Sequence, residues 1–323
     1  MFTFVSISYN HSDYIVQHLE SIKYQIEKYG DEIECEYILC DDNSKDDTVA
    51  LAECWLKKNE KLFKRYLIAK SSENLGTVKN YLNAISLIST KYCKITASDD
   101  IYSKNNIFDA YLSDSIVINF SLPFSSHENN VSTFNSTSRY YDKARLFLMC
   151  RTKFFLESYI KYDGSLSGPA TYYPTKYLKD DSLSDYLSKY KYVEDRPLWR
   201  YLFLNKKLGG GVEFRFEPLV YYRTSVGVTS KNSPAHQLFK KDCELLARDS
   251  SYICRMPKYL NPFNYLFRLI STISIIIGFI QKKTFSGKVF YFETTIMNEN
   301  LKAEAHLKEI IFKAECFKIK NYL

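Results

Sequence analysis

The feature that most constrains this chain is a regular alternation of two periods near its start. Residues 3–8, 36–40, 65–69 and 92–96 are short runs rich in β-branched, aromatic and other apolar side chains. Between them, apolar residues recur at helical spacing: Ile15, Leu19, Ile22 and Ile26, then Val49, Ala52 and Leu56, then Val78, Leu82, Ile85 and Ile88. Ser12 or Asp13 is placed to cap the first helix, and Ser44 or Asp46 the second. Strand and helix in alternation build βαβ units, hence an α/β fold with a mostly parallel, Rossmann-like sheet flanked by helices and right-handed crossovers. In such sheets ligands bind beyond the carboxyl ends of the strands. Three of these strands run into polar clusters there: Ser8-Tyr9-Asn10, Asp41-Asp42-Asn43-Ser44 and Ser98-Asp99-Asp100. All three are expected on one edge.

Each cluster has a plain reading and a chemical one. Ser98-Asp99-Asp100 is either a turn or a pair of carboxylates for a hard divalent cation, since Mg²⁺ and Mn²⁺ take one or two carboxylates plus phosphate oxygens. Asp42 either favours the positive end of the next helix or accepts a hydrogen bond from a nucleoside. Tyr9 is either a half-buried aromatic or a stacking surface for a base. Further on, Glu194-Asp195 precedes a helix expected over 196–204, with Pro197 in its first turn. The two acids serve either that helix's dipole or proton transfer.

Together these segments resemble the family 2 glycosyltransferases of the nucleotide-diphospho-sugar transferase (GT-A) fold. The resemblance covers residues 3–102 and rests on Val5-Ser6-Ile7-Ser8-Tyr9-Asn10, Asp41-Asp42-Asn43-Ser44-Lys45-Asp46-Asp47-Thr48, Asn74-Leu75-Gly76 with Lys79-Asn80, and Lys94 to Asp100, in that order. It implies nucleotide contacts by Ser8, Tyr9, Asn10, Asp42, Lys79, Asp99 and Arg223, with Lys79 where the family often has arginine. It implies Mn²⁺ or Mg²⁺ held by Asp100 and Asp99, in a D-x-D motif that begins here with Ser98. It implies Asp195 as general base and Glu194 as its orienter, next to a segment around Ser167-Gly168-Pro169-Ala170. The family's histidine after the Tyr222-Arg223 pair is replaced by Thr224-Ser225; Ser225 and Thr229 are substitutes for it. The implied reaction is inverting transfer from a nucleotide-diphospho-sugar donor, UDP first, to a glycan or lipid-linked acceptor of bacterial surface polysaccharide (O-antigen, capsule or lipooligosaccharide). A nucleotidyltransferase of the same fold is disfavoured, because Ser8-Tyr9-Asn10-His11-Ser12 lacks a glycine-rich phosphate loop. The alternative is an inactive assembly partner at the membrane.

With 323 residues the chain has room for a catalytic domain over 1–230, divided at 102, and a helical extension over 231–323. Charge separates the two. From residue 252 onward there are eleven Lys and Arg against five Asp and Glu, which accounts for most of the formal charge of +7. Such a tail suits an anionic membrane surface; no basic-aromatic motif points to nucleic acid. The uncharged run 269–280 is shorter than the ~20 residues a spanning helix needs, which leaves an interfacial or a buried helix. Tyr259, Phe263, Tyr265 and Phe267 would suit the interface. Residues 300–320 form an amphipathic helix, with Leu307, Ile310, Ala314 and Phe317 on one face and Glu304→Lys308 and Glu309→Lys313 as supporting pairs. That helix is expected to pack on its neighbours or on a second subunit. Eight scattered cysteines without a C-x-x-C pair, and no secretory leader, point to reduced thiols in a cytoplasmic protein, peripheral at the inner membrane. None of the five histidines is assigned a role, and His11 is expected to be a loop residue.

Overall fold

The computed structural model describes residues 1–127, 130–133, 168–204, 211–224, 226–227, 235–248, 269 and 285–321. The first strands and helices alternate as β1 (Phe2–Ser8), α1 (Ile15–Tyr29), β2 (Cys35–Asp41), α2 (Thr48–Lys58), β3 (Arg65–Lys70), α3 (Thr77–Leu87) and β4 (Tyr92–Ala97). The strands form a parallel sheet in the order β3-β2-β1-β4. β1 and β2 are buried along their whole length, as strands between two helical layers must be. Phe2, Phe4, Tyr37 and Leu39 face α1 and α2, packing with Leu19, Ile22 and Trp55. Val5, Ile7, Ile38, Cys93 and Ile95 face α3, packing with Val78, Tyr81 and Ile85. This is the period-two alternation of a strand applied to two cores.

The chain then leaves this sheet for a second one. β5 (Ile101–Tyr102) follows directly on Asp100, then α4 (Phe108–Tyr111), β6 (Ile116–His127) and β7 (Asn130–Thr133). After α5 (Thr175–Leu178), α6 (Asp181–Leu187) and α7 (Asp195–Leu204) comes β8 (Val212–Arg223). The order β5-β8-β6-β7 contains one parallel pair, β6 with β8, and two antiparallel ones. The backbone of β7 pairs antiparallel with Phe124 to His127 of β6.

Among the described residues further on are the helices α8 (His236–Arg248) and α9 (Phe285–Asn321). Leu246 of α8 belongs to the core on the α3 face, and Ala314 of α9 to the core on the α1 face. Leu307 and Ile310 of α9 close a third cluster with Ile101, Leu122 and Tyr221. The Glu309–Lys313 pair forms at 2.7 Å, while Glu304 turns to β7 and accepts from Thr133 N at 3.1 Å and Oγ1 at 2.8 Å. Nearly all of 269–280 lies outside the described residues, as do Tyr259, Phe263, Tyr265, Phe267, Ser167, Ser225 and Thr229. Among the described residues no helix is long and apolar enough to cross a membrane.

Candidate active site

The loops that follow β1 and β2 lock onto each other. Asn10 adopts φ 53°, in the left-handed region that asparagine tolerates. Its N–H donates to Ser44 Oγ at 2.8 Å, and its Oδ1 accepts from Lys45 N at 2.8 Å. His11 N donates to Thr48 Oγ1, and Ser12 N to Asp46 Oδ2. These bonds decide the helix starts. Neither Ser12 nor Asp13 caps α1; the backbone carbonyl of His11 accepts from Tyr14 and Ile15 instead. Asp46, and not Ser44, reaches the first N–H of α2, Thr48 N, at 3.1 Å; Ser44 N is turned to Asp41 Oδ1.

Asp42 is 3 % exposed, and its two oxygens accept from Leu75 N at 2.7 Å and Gly76 N at 2.8 Å. The carboxylate therefore holds the turn into α3 while lining the cleft beside Ser8, Tyr9 and Asn10. Lys79 does not join them: it is exposed on α3, and Thr77, Asn80 and Tyr81 of that helix line the cleft instead. The register of α3 turns residue 79 outward one step before the wall.

Asp99 and Asp100 sit in the turn from β4 to β5, at 7 % and 1 % exposure. Several groups fix that turn. Ser98 Oγ donates to Ser8 Oγ and meets His11 Nδ1, both at 2.8 Å. His18, fully buried on α1, meets the Asp100 carbonyl through Nδ1 and Ser6 Oγ through Nε2, each at 2.7 Å. A carbonyl only accepts, so the proton is on Nδ1. Burial lowers this imidazole to about 4, so it stays neutral.

Arg223 is 1 % exposed and is not part of the cleft wall, contrary to its expected nucleotide contact. Antiparallel pairing of β5 with β8 brings its N–H to Asp100 Oδ1 at 3.0 Å. Its guanidinium donates to the Asp99 carbonyl, Ser126 Oγ and Gln17 Oε1, between the rings of Tyr14 and Phe124. It anchors the aspartate turn from behind.

The opposite wall carries the second acidic pair. Glu194 and Asp195 are half-buried at the start of α7, and Asp195 Oδ1 accepts from Arg196 N at 2.6 Å. Gly168 packs against this carboxylate so closely that a Cβ there would lie 2.8 Å from Asp195 Oδ2. Burial raises Asp195, with the Arg196 N–H opposing. Burial, then the charge of Asp195, raises Glu194 to about 8. Between the two acidic pairs lies Lys94, 3 % exposed, with Nζ on the Thr171 carbonyl at 2.8 Å. Burial lowers it to about 7 against the pull of Asp100 and Glu194. A lysine inside an otherwise buried strand was a visible signal in the sequence. His18, on the same helical face as Ile15, Leu19 and Ile22, was another.

The donor set suits a cation completed by its ligand. Burial and the neighbouring Asp99 hold the Asp100 carboxyl well above the usual range, a negative excess that a divalent ion would relieve. Among the described residues no three His, Cys, Asp or Glu side chains form a closed cage.

Residues 3–112 match the model of glycosyl transferase family 2. The family 2 segment holds Ser8 to Asp42 and the Asp99-Asp100 turn; the Glu194-Asp195 wall lies outside it. A stretch of 107 residues is 31 % identical to the abequosyltransferase RfbV of Salmonella typhimurium, covering 33 % of this chain and 30 % of that protein. Two structures of TarS residues 1–349 from S. aureus resemble the chain over 99 % of its length, each with a TM-score of 0.51. One, in complex with UDP-GlcNAc, is 17 % identical and covered over 89 % of its own chain; the other is 18 % identical and covered over 88 %. At that identity the likeness is one of fold, and the fold is GT-A.

Proposed function

We propose that the protein is an inverting glycosyltransferase. It moves a sugar from a nucleotide-diphosphate donor, UDP-linked by first choice, to a hydroxyl of a glycan or lipid-linked acceptor. The observation that carries this reading is a single cleft of about 1180 Å³, lined by the loops after β1, β2 and β4 on one side and by Glu194 and Asp195 on the other. The family 2 match over the first of these walls supports it, as does the likeness to an abequosyltransferase. Tyr9, 41 % exposed, offers a ring face to a base beside Asn10 and Asp42. Asp99 and Asp100 would hold Mg²⁺ or Mn²⁺, which neutralises the departing diphosphate.

Asp195 takes the proton of the acceptor hydroxyl as its oxygen attacks the anomeric carbon. The bond to the diphosphate breaks on the opposite face, so the configuration inverts. Of two adjacent acids in a buried site one keeps a proton. Asp195, anchored through Oδ1 by Arg196 N and packed against Gly168, is the acid held in a fixed position to act as base, with Glu194 as its orienter. A place in surface-polysaccharide synthesis, at the cytoplasmic face of the inner membrane with the basic C-terminal region towards anionic lipid, belongs to the same proposal.

Calorimetric titration of UDP, GDP and dTDP, with Mn²⁺ and with chelator, tests the donor site. One nucleotide is expected to bind in a metal-dependent way, and to lose that binding in Asp100→Ala. No binding of any of the three to folded protein would overturn the assignment.

A further inference from the structure

Asp242 lies on α8, far in sequence from both acidic pairs, and is 8 % exposed. Its Oδ2 accepts from three successive backbone N–H groups: Lys191 at 2.9 Å, Tyr192 at 2.6 Å and Val193 at 3.2 Å. Successive amides pointing at one centre form an anion-binding nest, and here the anion is a side chain of the protein itself. The next two residues are Glu194 and Asp195.

The other side of this peptide faces the nucleotide loops. The Lys191 carbonyl accepts from Val78 N in the first turn of α3 at 3.0 Å. It packs on Gly76, where a Cβ would come within 2.8 Å of it, and Gly76 N is held by Asp42. One turn of α8 further on, Arg200 Nη1 of α7 donates to the Leu246 carbonyl at 2.8 Å. Ala235, Leu238 and Phe239, at the start of α8, line the cleft.

We infer that Asp242 is a positioning residue for the acidic pair. Its carboxylate fixes the 191–193 turn between α3 and α8, and thereby sets where the Asp195 carboxylate enters the cleft. A buried carboxylate is costly unless it is paired or hydrogen-bonded. An apolar side chain at this position would leave three N–H groups without an acceptor. α8 is thus part of the active site, although it lies well outside the family 2 segment.

The inference rests on the proposed base role of Asp195, and its test separates the two. Full-length Asp242→Ala and Asp242→Asn are compared with wild type by backbone hydrogen exchange of peptides covering 190–195, by UDP affinity and by kcat for sugar transfer. In Asp242→Ala, exchange at 191–193 is expected to accelerate at least about tenfold. kcat is expected to fall by about a hundredfold, the scale of a base displaced by an ångström, with UDP affinity nearly unchanged. Asp242→Asn keeps an acceptor oxygen and loses the charge, so it falls between wild type and Ala in both readouts. It also keeps the test open if the Ala variant does not fold. Wild-type exchange and wild-type kcat in Asp242→Asn would overturn the inference, as would faster exchange with undiminished kcat in Asp242→Ala. If no variant and no wild type transfers sugar, the proposed function fails, and exchange alone still decides whether Asp242 holds the turn.

Discussion

At the scale of single residues, the site separates groups that face the cleft from groups that hold those residues in place. Arg223, His18 and Ser98 belong to the second kind: each bonds the backbone or the near neighbours of Asp99 and Asp100. Glu194 and Asp195 belong to the first kind, and their ionisation makes a prediction. Asp195 must be charged to act as base, and burial raises it, so kcat/KM should be lost as pH falls through a midpoint above the usual aspartate value of about 4. Asp195→Asn is expected to lower kcat by about 10²–10⁴. Glu194→Gln mimics the protonated acid, and should keep activity within about tenfold together with the wild-type acid limb. Equal losses from both substitutions in pH–rate profiles would reverse the assignment. That Tyr9, Asp42 and the two acidic pairs stand at strand ends or at a helix start was legible in sequence, because short motifs mark such positions. The end of the strand at Arg223 was legible too. The direction of that side chain was not, because the pairing of β5 with β8 decides which way it points.

At the scale of elements, apolar periodicity located β1 to β4 and α1 to α3 to within a few residues, since each buries a full face against another layer. It failed where local and distant partners compete. α1 starts without a side-chain cap because the loops after β1 and β2 take Ser12 for themselves. The turn into α3 is the most constrained junction. Gly76 has φ 90°, and a Cβ there would lie 2.7 Å from Lys191 Cγ as well as 2.8 Å from the Lys191 carbonyl. Gly76→Ala should therefore destabilise the fold by about 1–3 kcal/mol, from a strained backbone and a displaced 191–193 turn. Urea denaturation checks this; an unchanged midpoint would show that the turn can open without cost.

At the scale of the molecule, the described helices α8 and α9 pack into the cores of the sheets. Leu307 and Ile310 of α9 are fully buried, Ala314 nearly so, and Lys318 Nζ donates to the Ser12 carbonyl beside the nucleotide loops at 2.7 Å. Leu307→Ala is expected to cost about 2–5 kcal/mol, as for other fully buried leucines. It should shift a single cooperative transition, visible both in far-ultraviolet dichroism and in the fluorescence of Trp55 and Trp199. A separate early transition that left the tryptophans undisturbed would show α9 to be an independent appendage.

The amino-acid sequence by itself determined the βαβ order of the first four strands, the polar strand ends and the acidic residues at 99–100 and 194–195. These follow from local periodicity and from the chemistry of short segments. Only the tertiary structure decided that the chain divides between two sheets, that Arg223 points away from the cleft and Lys94 into it, and that Asp242 holds the turn before the acidic pair. Each of those outcomes joins groups far apart in sequence, such as Asp100 with Arg223 or Val193 with Asp242. The cost of burying an unpaired charge or N–H selects such partners only once the layers have closed.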